Sequence, residues 1–314
     1  MEFNHTKDIK TCIPEPFIVQ QPTDYAQLSA PDVDCHAFYV KNSNSSYLPL
    51  GLSTFLPSLK IFLFKDSNLT EIHRDSLVNL TQLVEVSFYK NLLTKIESEI
   101  FRDNKKLKKI NFNSNAIESI DVDAFKGLKD LREIYLNGNE LAELNSELFR
   151  DNHQLIVINL ELNKLKALPM TIFNGLTSLT SLNLNYNDLE ALPGRLFKDN
   201  LNLKILKFSQ NLITKTDIQK MDFYDNLDSI DAYRNPCTRE LRYVSDISDL
   251  GELLDVMCSV ECEDRNNWLI KEIEEKTKSY EIILKKYQQT QVQNDVNEAI
   301  DEHVEEATDV VEQN

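Results

Sequence analysis

Residues 182–187 read LNLNYN, a hydrophobic strand pattern with an asparagine at every second position. Related runs stand at regular intervals upstream: INFNSN at 110–115, IYLNGN at 134–139 and INLELN at 158–163, each 24 residues from the next. On a strand, alternate side chains take opposite faces, so Leu182 and Leu184 point to a core and Asn183 and Asn185 point away from it. Asn187 falls where such a strand must turn a corner. Its amide suits backbone donors and acceptors that a corner leaves unpaired, and buried groups of that kind have to be satisfied.

Laid out from Leu59 in steps of 24, the chain forms columns. The first runs Leu59, Leu83, Leu107, Leu131, Leu155, Leu179, Leu203, Leu227; the fourth and sixth are apolar throughout. The ninth runs Ser67, Asn91, Asn115, Asn139, Asn163, Asn187, Asn211, Asn235. Position nineteen holds Leu77, Phe101, Phe125, Phe149, Phe173, Phe197 and Met221. This is the L-x-x-L-x-L-x-x-N-x-L pattern of a leucine-rich repeat, sustained over eight consecutive units without insertion. The expected fold is α/β: a solenoid with a curved parallel sheet, short helical turns on the return side, and one core running through the stack. Each Leu or Phe so buried contributes roughly 1.5–3 kcal/mol.

The ends break the pattern. Cys35 lies 24 residues before Leu59 and opens a degenerate first unit with Phe38, Val40 and Leu48. Cys12 is the cysteine available to it, which makes Cys12–Cys35 the expected bond of an N-terminal cap. At the other end Asn235 and Pro236 close the last repeat. Residues 240–256 read as an amphipathic helix, through Leu241, Val244, Ile247, Leu250 and Leu254. Cys237 can pair with only one of Cys258 and Cys262, leaving a spare thiol or an interchain bridge. From Trp268 to Tyr287 apolar residues recur at spacings of three and four. After Lys286 there is no Lys or Arg, while Asp295, Glu298, Asp301, Glu302, Glu305, Glu306, Asp309 and Glu312 follow. That segment reads as a helix, folded on the cap or pairing with a second chain, that frays into an acidic tail. The layout expected is a cap with the degenerate unit at 1–58, a solenoid at 59–236, a cysteine cap at 237–262, and a helix with acidic tail at 263–314.

Composition narrows the function. The formal charge is −17 across 314 residues, which argues against a nucleic-acid partner. No run approaches the length of a membrane span. The start, MEFNHTKDIKTC, has no apolar segment of signal-peptide type. Cysteines confined to the ends, and N-x-S/T triplets at Asn4, Asn44, Asn68 and Asn79, nevertheless point outside the cell. The five histidines are scattered, with no metal-ligand spacing, and no G-x-S-x-G or P-loop occurs. No enzyme, metal or cofactor is therefore expected.

What remains is a surface. Alternate strand residues facing solvent on the concave sheet include Tyr89, Lys109, Asn111, Asn113, Tyr135, Asn137, Asn159, Glu161, Asn183, Asn185, Tyr186, Lys207 and Tyr233. Tyrosine on a rigid base buries contact area at low entropic cost, so this face is the expected site for a protein partner. Asparagine there has a second reading, in which it only keeps an exposed sheet wet.

The repeats LREIYLNGNELAELNSELFRDNHQ (131–154) and LTSLNLNYNDLEALPGRLFKDNLN (179–202) resemble the 24-residue class of Toll-type receptors and Slit. With the cysteine cap and acidic helix, the order of elements resembles the leucine-rich-repeat immune proteins of mosquitoes and related insects. The resemblance implies a secreted protein that associates through cysteines and coiled coils and holds a protein effector. Two rivals stand beside it: the outer part of a surface receptor or adhesion protein, and an intracellular leucine-rich scaffold.

Overall fold

The computed structural model describes residues 11–12, 34–223, 226–238 and Lys278. The chain divides into two compact units, Met1–Glu261 and Cys262–Asn314. All described residues but Lys278 belong to the first. The expected helices at 240–256 and, apart from Lys278, 263–314, the cysteines at 258 and 262, and Asn4 lie outside the described residues.

The strands are β1 (Thr11–Cys12), β2 (Ala37–Lys41), β3 (Ile61–Lys65), β4 (Glu85–Ser87), β5 (Lys95–Ile96), β6 (Lys109–Asn111) and β7 (Ser119–Ile120). They continue with β8 (Glu133–Tyr135), β9 (Val157–Asn159), β10 (Ser181–Asn183), β11 (Ala191–Leu192), β12 (Ile205–Lys207), β13 (Lys215–Thr216) and β14 (Ser229–Asp231). Ten of them form one sheet in the order β1-β2-β3-β4-β6-β8-β9-β10-β12-β14. From β2 onward each strand pairs in parallel with the equivalent residues 24 positions on, as Ile158, Leu182 and Leu206 do. The sequence period is thus the sheet register. Two-residue ladders, β5 with β7 and β11 with β13, stitch the far edge of the coils. A four-residue helix α1 (Leu52–Phe55) and 3-10 turns at Gly194–Phe197 and Ile218–Lys220 lie on the return side.

Column residues one, four and six are fully buried in the middle of the stack: Leu131, Ile134 and Leu136 are 0% exposed. Position nineteen gives a spine of stacked rings, with Phe125 and Phe149 centroids 6.2 Å apart and Phe173 and Phe197 5.9 Å apart.

The position-nine asparagines bond as a corner requires. Asn187 Nδ2 donates to the carbonyls of Leu160 (2.9 Å) and Leu184 (3.1 Å), and its Oδ1 accepts from the Leu165 N–H (3.1 Å). One amide therefore ties its own turn to the turn before. Asn91, Asn115, Asn139, Asn163, Asn211 and Asn235 repeat the arrangement.

The residue before each rung is in the left-handed region. Asn42, Asp66, Lys90, Ser114, Gly138, Leu162, Tyr186, Gln210 and Arg234 all have φ between 49° and 67°. Position eight is thus a corner residue rather than part of the flat sheet, and only one of the nine is glycine. Non-glycine residues there are strained by roughly 1–2 kcal/mol each, a strain the stacked amides on either side hold in place.

A second asparagine series has a longer period. Asn104, Asn152 and Asn200 are fully buried and donate to carbonyls of the turn before: Leu77 and Leu80, Phe125 and Leu128, Phe173 and Leu176. The preceding aspartates Asp103, Asp151 and Asp199 accept from the N–H groups of Asn79 (3.0 Å), Gly127 (2.8 Å) and Gly175 (2.9 Å). Those three have φ of 62°, 72° and 70°, which suits glycine and, next best, asparagine. Arg102 bonds Asp75, and Arg150 bonds Asp123, across the same junctions. The coils therefore interlock in pairs. FRDN at 101–104 and 149–152 and FKDN at 197–200 clasp SLVNL at 76–80, FKGL at 125–128 and FNGL at 173–176, a repeat of 48 residues within that of 24.

Replacing Asn187 by Ala strips two buried carbonyls and one buried N–H of their partner. At about 1–3 kcal/mol for each group left unmatched, partly relieved by water, the loss in denaturant unfolding should be about 2–4 kcal/mol. Asn183→Ala, on the outer side of the sheet, removes two part-buried bonds, to the Asn185 N–H and to Glu161, and should cost clearly less.

Candidate functional site

The outer face of the sheet is built from positions three, five and seven. The sequence pattern proposes it as a contact surface, and the structure shows how its side chains are engaged.

The amides on this face bond the backbone. The N–H of position seven is capped in every turn from Asn113 to Ser209 by an asparagine oxygen. Where position five is Asn, it caps two residues on: Asn111 to Asn113 N–H (2.8 Å), Asn159 to Glu161 N–H (3.0 Å), Asn183 to Asn185 N–H (3.1 Å). Where position five is Tyr135 or Lys207, the position-seven asparagine of the previous turn takes over. Asn113 accepts from Asn137 N–H (3.1 Å), and Asn185 accepts from Ser209 N–H (2.7 Å). Asn137 and Asn185 are only 4% and 7% exposed. This answers why strands of the LNLNYN type carry so many asparagines: the outer amides cap the strand exit, either within a turn or from the turn before.

Two polar networks cover the rest. Near the start, Lys109 lies 3.5 Å from Glu85 and over the ring of Tyr135 (5.8 Å), whose hydroxyl donates to Glu133 (2.9 Å). Burial, and then the Glu133 bond, push the Tyr135 hydroxyl well above the usual tyrosine range. Toward the end, Asn183 Nδ2 donates to Glu161 (3.0 Å), while Asn185 Nδ2 and the Ser209 hydroxyl both donate to Asp231 (3.0 and 3.1 Å). Burial raises the Glu161 carboxyl above its ordinary value, against the pull of Asn183 and Lys207, and nearby Asp231 adds to the rise. Tyr233 is exposed (37%) and stacks with the Arg234 guanidinium at 5.2 Å. Tyr89 is half-buried, one residue before the Lys90–Asp66 ion pair (3.0 Å). Tyr186 sits at a position-eight corner with φ 55°. What the face offers outward is thus tyrosine and charge, on a base stiffened by amides.

The remaining sequence-derived sites fall away from this face. Cys35 and Cys237 are buried at the two ends of the core. The backbone of Cys12 pairs opposite Phe38, on the strand beside the one that follows Cys35. Asn44, Asn68 and Asn79 are exposed, and Asn68 Nδ2 donates to Asn44 Oδ1 at 3.2 Å, one turn apart. Among the described residues no group of three His, Cys, Asp or Glu side chains is placed to hold a metal ion, and no helix is long and apolar enough to cross a membrane. Sequence reasoning missed the paired DN motif and the capping role of the outer amides. The first was visible as FRDN alternating with FxGL; the second had no signal apart from asparagine frequency.

In-register parallel coils with an asparagine ladder define a leucine-rich-repeat solenoid. The family model for the BspA type leucine rich repeat region matches in six copies at residues 51–168 and 94–230, more than half of the chain. The protein belongs to that leucine-rich-repeat family. No curated protein matches it. Among solved structures, Toll in the glycosylated Toll–Spatzle complex of Drosophila aligns with a TM-score of 0.51 at 19% identity, over 64% of this chain and 34% of that one. The TLR13–ssRNA13 complex aligns with a TM-score of 0.50 at 24% identity, over 65% of this chain and 34% of that one. The likeness to these Toll-type ectodomains is one of fold, and the matched part spans about a third of their length.

Glu161 gives a test of the face's electrostatics. Its folded pKa is raised, so the folded chain holds this proton more tightly than the unfolded chain. The stability this confers is fully present below the unfolded pKa and is lost as pH rises through the folded one. Glu161→Gln keeps an acceptor for Asn183 and removes the charge. It should melt higher than the parent at about pH 7, and the difference should vanish toward about pH 4.

Proposed function

We propose that this chain is a non-enzymatic, extracellular protein-binding module that grips a protein on the outer face of its sheet, in innate-immune recognition or scaffolding. The observation that carries the reading is the division of labour on that face. Amides bond the backbone and hold the surface rigid, while Tyr89, Tyr135, Tyr233, Lys109, Glu161 and Lys207 present aromatic and charged groups. A preorganised surface loses little entropy on binding, and tyrosine on it is a strong anchor. Toll, whose fold this chain shares, is described in complex with Spatzle as a molecular hub in development and innate immunity. The likeness to Toll also supports a second reading, the ectodomain of a cell-surface receptor.

The extracellular setting entails a covalent layout that we also propose: Cys12 bonded to Cys35 in a cap within residues 1–58, the solenoid at 59–236, and Cys237 bonded to one of Cys258 and Cys262 in a cap at 237–262. The remaining cysteine, with the helix at 263–314, then joins a second chain. Glycans on Asn4, Asn44, Asn68 and Asn79 belong to the same reading. Secreted protein should migrate as a larger species on non-reducing gels and collapse to one chain with reductant. A band indifferent to reductant and to glycosidase removes the extracellular reading.

For the face itself, a photo-cross-linking residue placed at Tyr89 or Tyr233 should capture one protein partner, whereas the same residue at exposed Met170 or Leu201 should not. Tyr89→Ala and Tyr233→Ala should each weaken that partner about tenfold, or about 1–2 kcal/mol. Equal capture at all four positions defeats the proposal.

A further inference from the structure

The edge where the chain enters the sheet has a different character from the open face. Position two of successive turns forms a backbone ladder: Val84 N–H donates to the Lys60 carbonyl (2.7 Å), Lys108 N–H to Val84 (2.8 Å), and Arg132 N–H to Lys108 (2.9 Å). The rungs of a parallel stack are about 5 Å apart, so Lys60 and Lys108 stand about 10 Å apart and Lys108 and Arg132 about 5 Å. Beside this ladder run positions twenty-three and twenty-four, with Lys105, Lys106 and Lys129. All six side chains are exposed. Lys60, Lys108, Lys129 and Arg132 take part in no ion pair among the described residues. Lys106 reaches the neutral Gln82 amide (2.7 Å), and Lys105 reaches the Lys126 carbonyl (3.3 Å), so neither charge is neutralised.

Over the first four turns these three columns hold six cations and one acid, Asp130. Of the acids just outside these columns, Glu85 is paired with Lys109, while Glu133, Asp103 and Asp151 bond neutral donors and keep their charge, so the cations outnumber the acids within the columns rather than stand alone. In the next two turns the same columns carry Ile156, Thr177, Ser178, Thr180, Leu201 and Asn202, with no charge. The patch is local, and screening limits the reach of charges elsewhere on the surface to about 8–10 Å.

We infer that this edge docks a sulfated polysaccharide chain. Five of the six cations are lysine, a strongly hydrated point charge suited to dispersed sulfates. An acidic peptide would favour the forked guanidinium that pairs with carboxylates. No Phe, Tyr or Trp lies in the three columns over these turns, so there is no platform for stacking bases. No apolar wedge is present for lipid insertion either; Val84 stands alone. The neutral hydrogen-bonding neighbours Thr81, Gln82 and Gln154 suit a hydroxyl-rich partner. This surface is separate from the open face, so this inference and the protein-binding one fail independently.

The test uses the full chain and immobilised heparin, with binding measured at about 50 mM and about 150 mM salt, between which screening of surface charges grows. The parent should bind, more weakly at the higher salt. The variant Lys106→Glu, Lys108→Glu, Arg132→Glu should bind at least about tenfold more weakly, and a Gln version of the same three changes should fall between. Circular dichroism melting establishes that each variant is folded, and the Gln set keeps the test alive where the Glu set unfolds. Lys166→Glu, Lys198→Glu, Lys215→Glu, on other parts of the surface, should stay within about twofold of the parent. The inference is overturned by absence of heparin binding at the lower salt, by equal loss in the control variant, or by polyglutamate or a single-stranded oligonucleotide binding as tightly as heparin.

Discussion

Everything in this solenoid hangs on one side-chain amide per turn. Where the chain leaves the sheet, two carbonyls and one N–H of adjacent turns face inward with no strand partner. The position-nine asparagine supplies donors and acceptor together: Asn139 reaches the Phe112 and Leu136 carbonyls and receives the Ile117 N–H. Aspartate has no donor, and glutamine is a methylene too long for the same corner. The first rung shows the contrast. Ser67 can donate only to Lys65 (2.6 Å) and accept from Ser43 (3.2 Å), and it stands where the repeat is only beginning to be regular.

The ladder explains two further features. A corner held from both sides tolerates the left-handed backbone at position eight whatever its side chain, so Leu162, Tyr186 and Arg234 adopt what glycine adopts at 138. The same logic governs the strand exit: the position-seven N–H must be met, and an asparagine either two residues back or one turn back meets it. That choice is set by whether position five is asparagine. Tyr135 and Lys207 can occupy outward positions because Asn113 and Asn185 cover for them. The residues free to vary toward a partner are thus bounded by backbone chemistry.

These dependencies also decide what could be read from the letters. The columns of Leu, Phe and Asn state the period, the register and the core, since burial and corner bonding each demand a residue type. Left-handed corners leave no mark, because conformation rather than side chain is repeated: nine positions hold nine different residue types from Asn42 to Arg234. The pairing of coils was written as Asp103–Asn104, Asp151–Asn152 and Asp199–Asn200, but a 24-residue comparison averages it away. The open face was legible in position and not in role. Asn111, Asn159 and Asn183 point outward as the alternation requires, yet their oxygens turn back to the strand, which period-two reasoning has no means to detect.

Interlocking in pairs has a consequence for how stiffness is distributed. Within a pair, an ion pair, an Asp-capped left-handed residue and a buried amide all cross one junction, as Arg150, Asp151 and Asn152 do toward Asp123, Gly127, Phe125 and Leu128. Between pairs the return side is joined by other means: the β5–β7 and β11–β13 ladders, with Asp121 and Asp217 capping the N–H groups of Ser98 and Gly194, cross two of these junctions, while the junction of the His153 and Gly175 turns has the contact of His153 Nδ1 with the Gly175 carbonyl (3.2 Å). Sheet and ladder run uniformly through both kinds of junction. Any bending of the stack should therefore concentrate on the return side between the turns of His153 and Gly175, where neither a ladder nor an aspartate cap crosses among the described residues, while the sheet face keeps its spacing. A surface that must hold tyrosines and charges at fixed intervals is best placed on the side where the sheet and the position-nine ladder cross every junction, and that is the side on which Tyr89, Lys109, Tyr135, Lys207 and Tyr233 stand.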